Sequence, residues 1–205
     1  MRALPHPPLL VITDRVQARQ PLEEIARAVF DAGGRWLSLR EKDMAPVERT
    51  ALLVRLITIA APYKAAVMVH EDIEAALKTG AAGVHLPAGS NVAAARARLG
   101  DGVLIGLSCH AGDKPLNADY ATLSPIFPTA SKPGYGPALD LEGLAAAAKA
   151  SPVPLLALGG LNNPARLKDC RQAGASGAAM MGEIMCAEDP GAVMKALLAA
   201  WKRTA

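Results

Sequence analysis

Aromatic residues are nearly absent: Phe, Trp and Tyr together make up 3% of the 205 positions. A core must therefore come from Ala, Leu, Val and Ile, and the 51% apolar content is enough for a sizeable one. Cysteine is scarce as well. Cys109, Cys170 and Cys186 are odd in number and far apart, with no Cys-x-x-Cys pair. That pattern speaks against a zinc ribbon or a disulfide framework and fits reduced thiols in the cytoplasm. Long hydrophobic runs are missing. The apolar stretch in MRALPHPPLLVITD is too short to span a membrane and meets Asp14 at once, so neither a membrane partner nor a targeting segment is expected. Charge of one sign is missing too. The net charge is +3, with no basic block and no interleaved aromatics, so no nucleic-acid partner is expected.

What is present is a rhythm of short apolar runs and amphipathic stretches. LLVITD, WLSLRE, AAVMVHE, GVHLP, VLIGLSC, YATLSP, PLLALGG and SGAAMMG read as strands, starting at Leu9, Trp36, Ala65, Gly83, Val103, Tyr120, Pro154 and Ser176. Helical spacing follows most of them, as in Leu22, Ile25, Val29 and Phe30, with Gly33 as a stop. Between the fifth and sixth strands only a stub near Gly112 to Asn117 is expected to be helical. Strands this continuously apolar are buried on both faces, as in parallel sheets. Eight strand–helix units in a chain of this length predict a single-domain (β/α)8 TIM barrel over residues 1–205. An open doubly wound sheet is the alternative, but the first turn, TDRVQARQP, lacks a glycine fingerprint for a dinucleotide.

A barrel of this kind carries its active site at the C-terminal strand ends. This rule gathers scattered polar residues onto one rim: Thr13, Asp14, Ser38, Arg40, Glu41, Lys42, His70, Glu71, Asp72, His85, Ser90, Ser108, His110, Ser124, Thr129 and Lys132. Cations, hydroxyls and glycines suit an anionic, phosphate-bearing ligand. Gly159-Gly160 and Met181-Gly182 end the last two strands, where such barrels commonly hold phosphate. Arg40 and Lys42 would face one way in strand geometry and clamp a diphosphate, or else pair with Glu41, Asp43 or Glu71. Lys132 is the one charge in the Pro- and Gly-rich stretch Leu123 to Asp140 before its final Asp, which reads as a lid carrying a cation over the site, or as a solvated loop. His70 and His110 are either packed or able to shuttle protons, whereas His85 within GVHLP is expected to be packed. Cys109 and the methionines 180, 181 and 185 are expected in the core.

The ordered pieces VITD, LREK, GVHLP, IGLSCH, SPIFPTASKPGYGPAL, LALGGL and GAAMMGEI carry a resemblance that covers nearly the whole chain. In them the chain resembles the thiamine phosphate synthase / thiazole tautomerase (TenI-type) superfamily of (β/α)8 barrels. The synthase branch implies a Mg²⁺-using transferase that joins hydroxymethylpyrimidine diphosphate to a thiazole phosphate and releases diphosphate. It also implies Arg40, Lys42, Ser108, Thr129 and Lys132 at the diphosphate, and Gly159, Gly160 and Gly182 at the thiazole phosphate. Ser38, His70, His110 and Met181 complete the expected substrate-binding set. Members of the superfamily are often oligomers, so a homo-oligomer is an open expectation.

The chain departs from the synthase pattern at three places. Ser38 stands where the synthase has Gln, and His70-Glu71 where it has Asn-Asp. Pro87 to Ser90 replace a Gly-Gln-x-Asp run. Glu71 is then the one candidate magnesium ligand at a matching position, and Ser90 is a poor substitute for the second aspartate. LPAGS instead matches the tautomerase branch, an isomerase that needs no metal. The catalytic Gly-His pair of that branch, however, is Ser124-Pro125 here. A barrel that binds a thiazole or thiamine phosphate without turnover, and a Schiff-base aldolase using Lys42, are the remaining alternatives.

Overall fold

The eight apolar runs form eight short parallel strands. They are β1 (Leu9–Ile12), β2 (Trp36–Leu39), β3 (Ala66–His70), β4 (Gly83–Leu86), β5 (Leu104–Cys109), β6 (Tyr120–Leu123), β7 (Leu155–Leu158) and β8 (Gly177–Met180). The computed structural model describes residues 2–128 and 137–202. Each strand pairs with its sequence neighbour, and β8 pairs with β1, so the sheet closes in the order β1 to β8. Around it run α1 (Leu22–Asp31), α2 (Pro46–Ala60), α3 (Ile73–Thr79), α4 (Val92–Leu99), α5 (Asp140–Ala150), α6 (Pro164–Gln172), α7 (Gly182–Met185) and α8 (Pro190–Lys202). This is the (β/α)8 barrel expected from the sequence. Apart from β5, which ends at Cys109 with its run, the strands stop one or two residues earlier than their runs suggest, because the residues at the run ends enter loops. The helical stub expected between the fifth and sixth strands is absent: residues 111–118 form turns and coil. The short α7, wedged between β8 and α8, is an addition. None of the described helices is long and apolar enough to cross a membrane.

Closure makes strand parity decisive, because alternate residues face the lumen or the helices. Leu10, Ile12, Trp36, Met68, Leu104, Tyr120, Leu156 and Ala179 pack together inside the barrel. Their neighbours Leu9, Val11, Leu37, Val67, Val69, Ile105, Ala121, Leu155 and Ala178 belong to the larger cluster shared with the helices. A lumen holding Trp36 and Tyr120 is crowded, with the two rings edge to face at 4.8 Å and 70°. Room for them comes from small residues in the same rows. Gly106 stands between His85 and Tyr120 in the pairing register. A Cβ there would collide with the Tyr120 ring and with His85 Nδ1.

Replacing Gly106 by Ala should therefore cost about 2 kcal/mol through overpacking. Thermal denaturation should show a Tm lowered by roughly 4–8 °C; an unchanged Tm would mean that the lumen has slack at this row.

Candidate active site

The C-terminal ends of the strands surround a cavity of about 240 Å³. Arg40, Lys42, His70, Glu71, Ser108 and His110 line one side, and Gly159, Gly160, Met181 and Gly182 line the other. Ten of the expected site residues thus meet in a single hollow. Ser38 does not: it is fully buried and reaches the cavity only through His70. Thr129 and Lys132, with the middle of the expected lid (129–136), lie outside the described residues.

The cationic side depends on a buried carboxylate. Glu41 is 3% exposed; it accepts from the Thr13 hydroxyl at 2.7 Å and from the Arg15 backbone N–H at 3.1 and 3.2 Å. The Thr13 hydroxyl in turn accepts from the Arg40 N–H at 2.9 Å. The loop after β2 is thereby stapled to the loop after β1, which holds Arg40 and Lys42 at the mouth although β2 has already ended. Glu41 is used up in this staple. The Arg40 guanidinium has no carboxylate partner among the described residues. Lys42 instead ion-pairs with Glu71, one of the partners the sequence left open. Glu71 itself has a left-handed backbone, φ 63°, unusual for a non-glycine residue and typical of functional turns.

Below the charges lies a layer of neutral polar groups borne on strands. His70 Nδ1 is 2.9 Å from Ser38 Oγ, and its ring is tilted against that of His85 with centroids 4.8 Å apart. His85 Nδ1 is 3.0 Å from the Tyr120 hydroxyl, whereas that hydroxyl is 3.5 Å from Met68 Sδ. With the phenol proton on His85 Nδ1, the closer acceptor, His85 Nε2–H is shared between Ser108 Oγ at 3.0 Å and Thr122 Oγ1 at 3.3 Å. The Ser108 proton is then available to the cavity. Burial holds His85 at a pKa of about 3, and it pushes the Tyr120 phenol up. Burial also lowers His70 well below the ordinary imidazole value, with His85, Arg40 and Lys42 adding to the effect. Both rings are neutral at physiological pH. His85 is packed, as expected, yet it also aims a serine that the sequence had singled out.

On the opposite side Gly159 and Gly160 have φ of 101° and 65°. The space their side chains would fill is taken by Pro125 and by Phe127 and Pro128 of the loop after β6. The glycines thus let two loops approach each other. Arg166 braces this loop, donating to the Gly160 carbonyl at 2.7 Å. Glu183 also lines the cavity, and its carboxylate accepts from the Met181 N–H at 3.3 Å. Neither Arg166 nor Glu183 stands out in the sequence. The signal for Glu183 was its place directly after Met181-Gly182. Pro125 occupies the wall where the tautomerase pattern has its histidine, and it carries no proton to transfer. Cys109 faces the helices, and burial raises its thiol to about 11, so it is not a nucleophile.

The described residues do not fit the magnesium site that the resemblance implies. Glu71 is engaged by Lys42. Ser90 lies outside the cavity and donates to the Pro87 carbonyl at 2.8 Å. Asp72 caps α3 and pairs with Arg49 at 2.7 Å. Among the described residues no group of three or more His, Cys, Asp or Glu side chains could hold a metal ion.

The fold and this site agree with what the chain is similar to. The family model described as thiamine monophosphate synthase matches residues 9–184. The thiamine-phosphate synthase of Chlorobium luteolum is 36% identical over 98% of this chain and 96% of its own length. That of Syntrophomonas wolfei is 34% identical over 95% and 96%. Among solved structures, the thiamine phosphate pyrophosphorylase from Pyrococcus furiosus superposes with a TM-score of 0.84 at 26% identity, covering 95% of each chain. A match spanning all eight strands, with relatives aligned nearly end to end, places the chain in the thiamine monophosphate synthase family of transferases.

Proposed function

We propose that the cavity joins hydroxymethylpyrimidine diphosphate to a thiazole phosphate and releases diphosphate. One observation carries this reading: a single hollow holds cations on one wall and backbone-exposing glycines on the other, with neutral donors between. Two phosphorylated substrates need two anion-binding walls and a space between them. In the proposed reaction the C–O bond to the pyrimidine methylene breaks, and its electron pair leaves with the diphosphate. The thiazole nitrogen lone pair then forms the new C–N bond. The charge to be stabilised develops on the leaving group, so fixed cations and donors matter more than a protein base. Arg40, Lys42 and the Ser108 hydroxyl serve that role, with Thr129 and Lys132 assigned to the same end by resemblance. Gly159, Gly160 and Gly182 hold the thiazole phosphate, beside Met181. The isomerase alternative is less well supported, because Pro125 stands in the acid–base position and His70 is held neutral.

Magnesium, when present, would neutralise diphosphate charge; on this chain that work falls chiefly to Arg40 and Lys42. For Lys42 to meet the diphosphate, it must leave Glu71.

Three measurements test this. Arg40→Ala should lower kcat/KM for thiamine phosphate formation on the order of 10²–10³-fold, with Arg40→Lys recovering only part of the loss; wild-type rates in Arg40→Ala would remove Arg40 from the site. Glu183→Gln should tighten thiazole phosphate binding about two- to fivefold by removing a carboxylate near the anion, and calorimetry showing weaker binding would reverse its role. Titration of the ligand-free protein with Mn²⁺, followed by electron paramagnetic resonance, should show no saturable site; a stoichiometric site would restore the metal to the protein's own side chains.

A further inference from the structure

Two departures from the synthase pattern, Ser38 on β2 and His70 on β3, touch each other. The Ser38 hydroxyl is fully buried, and His70 Nδ1, at 2.9 Å, is its one side-chain partner among the described residues. A buried hydroxyl donates where it can, so its proton goes to Nδ1, and the ring proton must sit on Nε2. That Nε2 has no protein partner among the described residues. It is also absent from the buried unsatisfied atoms, so it opens into the cavity that the ring lines. The ring is held against His85 and cannot turn freely.

Depth decides what this donor meets. Arg40, Lys42 and Glu71 follow the strand ends and form the outer rim, whereas His70 is the last residue of β3. The cavity that its ring lines has an apolar part, made by Ile12 and Ala179 of the lumen cluster with Leu158 and Met181 packed against them. An apolar lining beside a neutral ring N–H, held in one orientation, suits a flat heteroaromatic ring that offers an acceptor nitrogen. It does not suit a phosphate, which the rim cations serve better.

We propose that His70 is a specificity-determining residue for the pyrimidine substrate, donating Nε2–H to a ring nitrogen, and that buried Ser38 is the positioning residue that fixes this tautomer. The inference rests on the transferase reading above and adds to it which face of the substrate is read, and how. An amide on β2, as in the synthase pattern, both donates and accepts; the Ser38–His70 pair only donates. The pocket therefore selects a ring acceptor and does not read a neighbouring donor at the same point.

The test compares steady-state constants for hydroxymethylpyrimidine diphosphate and thiazole phosphate in four proteins. His70→Phe keeps a ring but loses the donor; it should raise KM for the pyrimidine diphosphate roughly tenfold and leave KM for the thiazole phosphate unchanged. His70→Gln, whose amide nitrogen reaches the Nε2 position, should recover most of that loss. Ser38→Ala should raise the same KM roughly threefold, and should add nothing in a His70→Phe background, which a purely structural role for Ser38 would not produce. A wild-type KM in His70→Phe, a His70→Gln protein no better than His70→Phe, or a Ser38→Ala effect that persists without His70 each overturns the assignment. Failure of the unaltered protein to form thiamine phosphate would instead sink the reaction; the same variants are then compared by their Kd for the pyrimidine diphosphate alone, where equal values overturn the assignment.

Discussion

The lumen of the closed barrel has to be filled, and every strand contributes every second residue to it. In a chain with so few aromatics, Trp36 and Tyr120 are both placed there, and Trp36 Nε1–H finds Met68 Sδ at 2.9 Å. Gly106 opens the row between His85 and Tyr120. Without that opening the Tyr120 hydroxyl would not reach His85, and His85 would not be aimed at Ser108. The packing of the barrel's middle thus sets the polarity of its mouth.

From that middle upward the interior is graded. Apolar side chains lie deepest, neutral hydrogen-bonded groups come next, and full charges appear only on the loops. The grading follows from the cost of burying charge. It also gives the site two kinds of recognition. Groups borne on strands, such as His70 and Ser108, are neutral and rigid, suited to reading shape and hydrogen bonds. Groups borne on loops, such as Arg40 and Lys42, can rearrange and neutralise a leaving group.

Apart from Arg40, which has no carboxylate partner among the described residues, the free site is balanced internally. Lys42 faces Glu71, and the Met181 N–H faces Glu183. The first pairing occupies a cation that the proposed reaction assigns to the diphosphate, and the second an N–H next to Gly182, which it assigns to the thiazole phosphate. Ligand phosphates would therefore replace carboxylates rather than enter an empty field, which costs some affinity and keeps the cations from binding anions indiscriminately.

Strand order, barrel closure and the membership of Arg40, Lys42, His70, Ser108, His110 and the glycine pairs in one rim were legible in the residues, because apolar runs and the position of polar run-ends are local properties. Which polar residue serves a ligand and which serves the fold was not. Glu41 and Arg40 are adjacent in the same run, yet Glu41 is consumed by Thr13 and Arg15 while Arg40 faces the cavity. Ser38 reads as a ligand contact in sequence but lies beneath His70. His85 reads as packing but orients Ser108. By itself the sequence determined the alternation that builds the barrel and the kinds of groups its mouth holds. The tertiary structure decided their partners, because a hydrogen bond between residues some thirty positions apart depends on the register of neighbouring strands and on the room left by a single glycine.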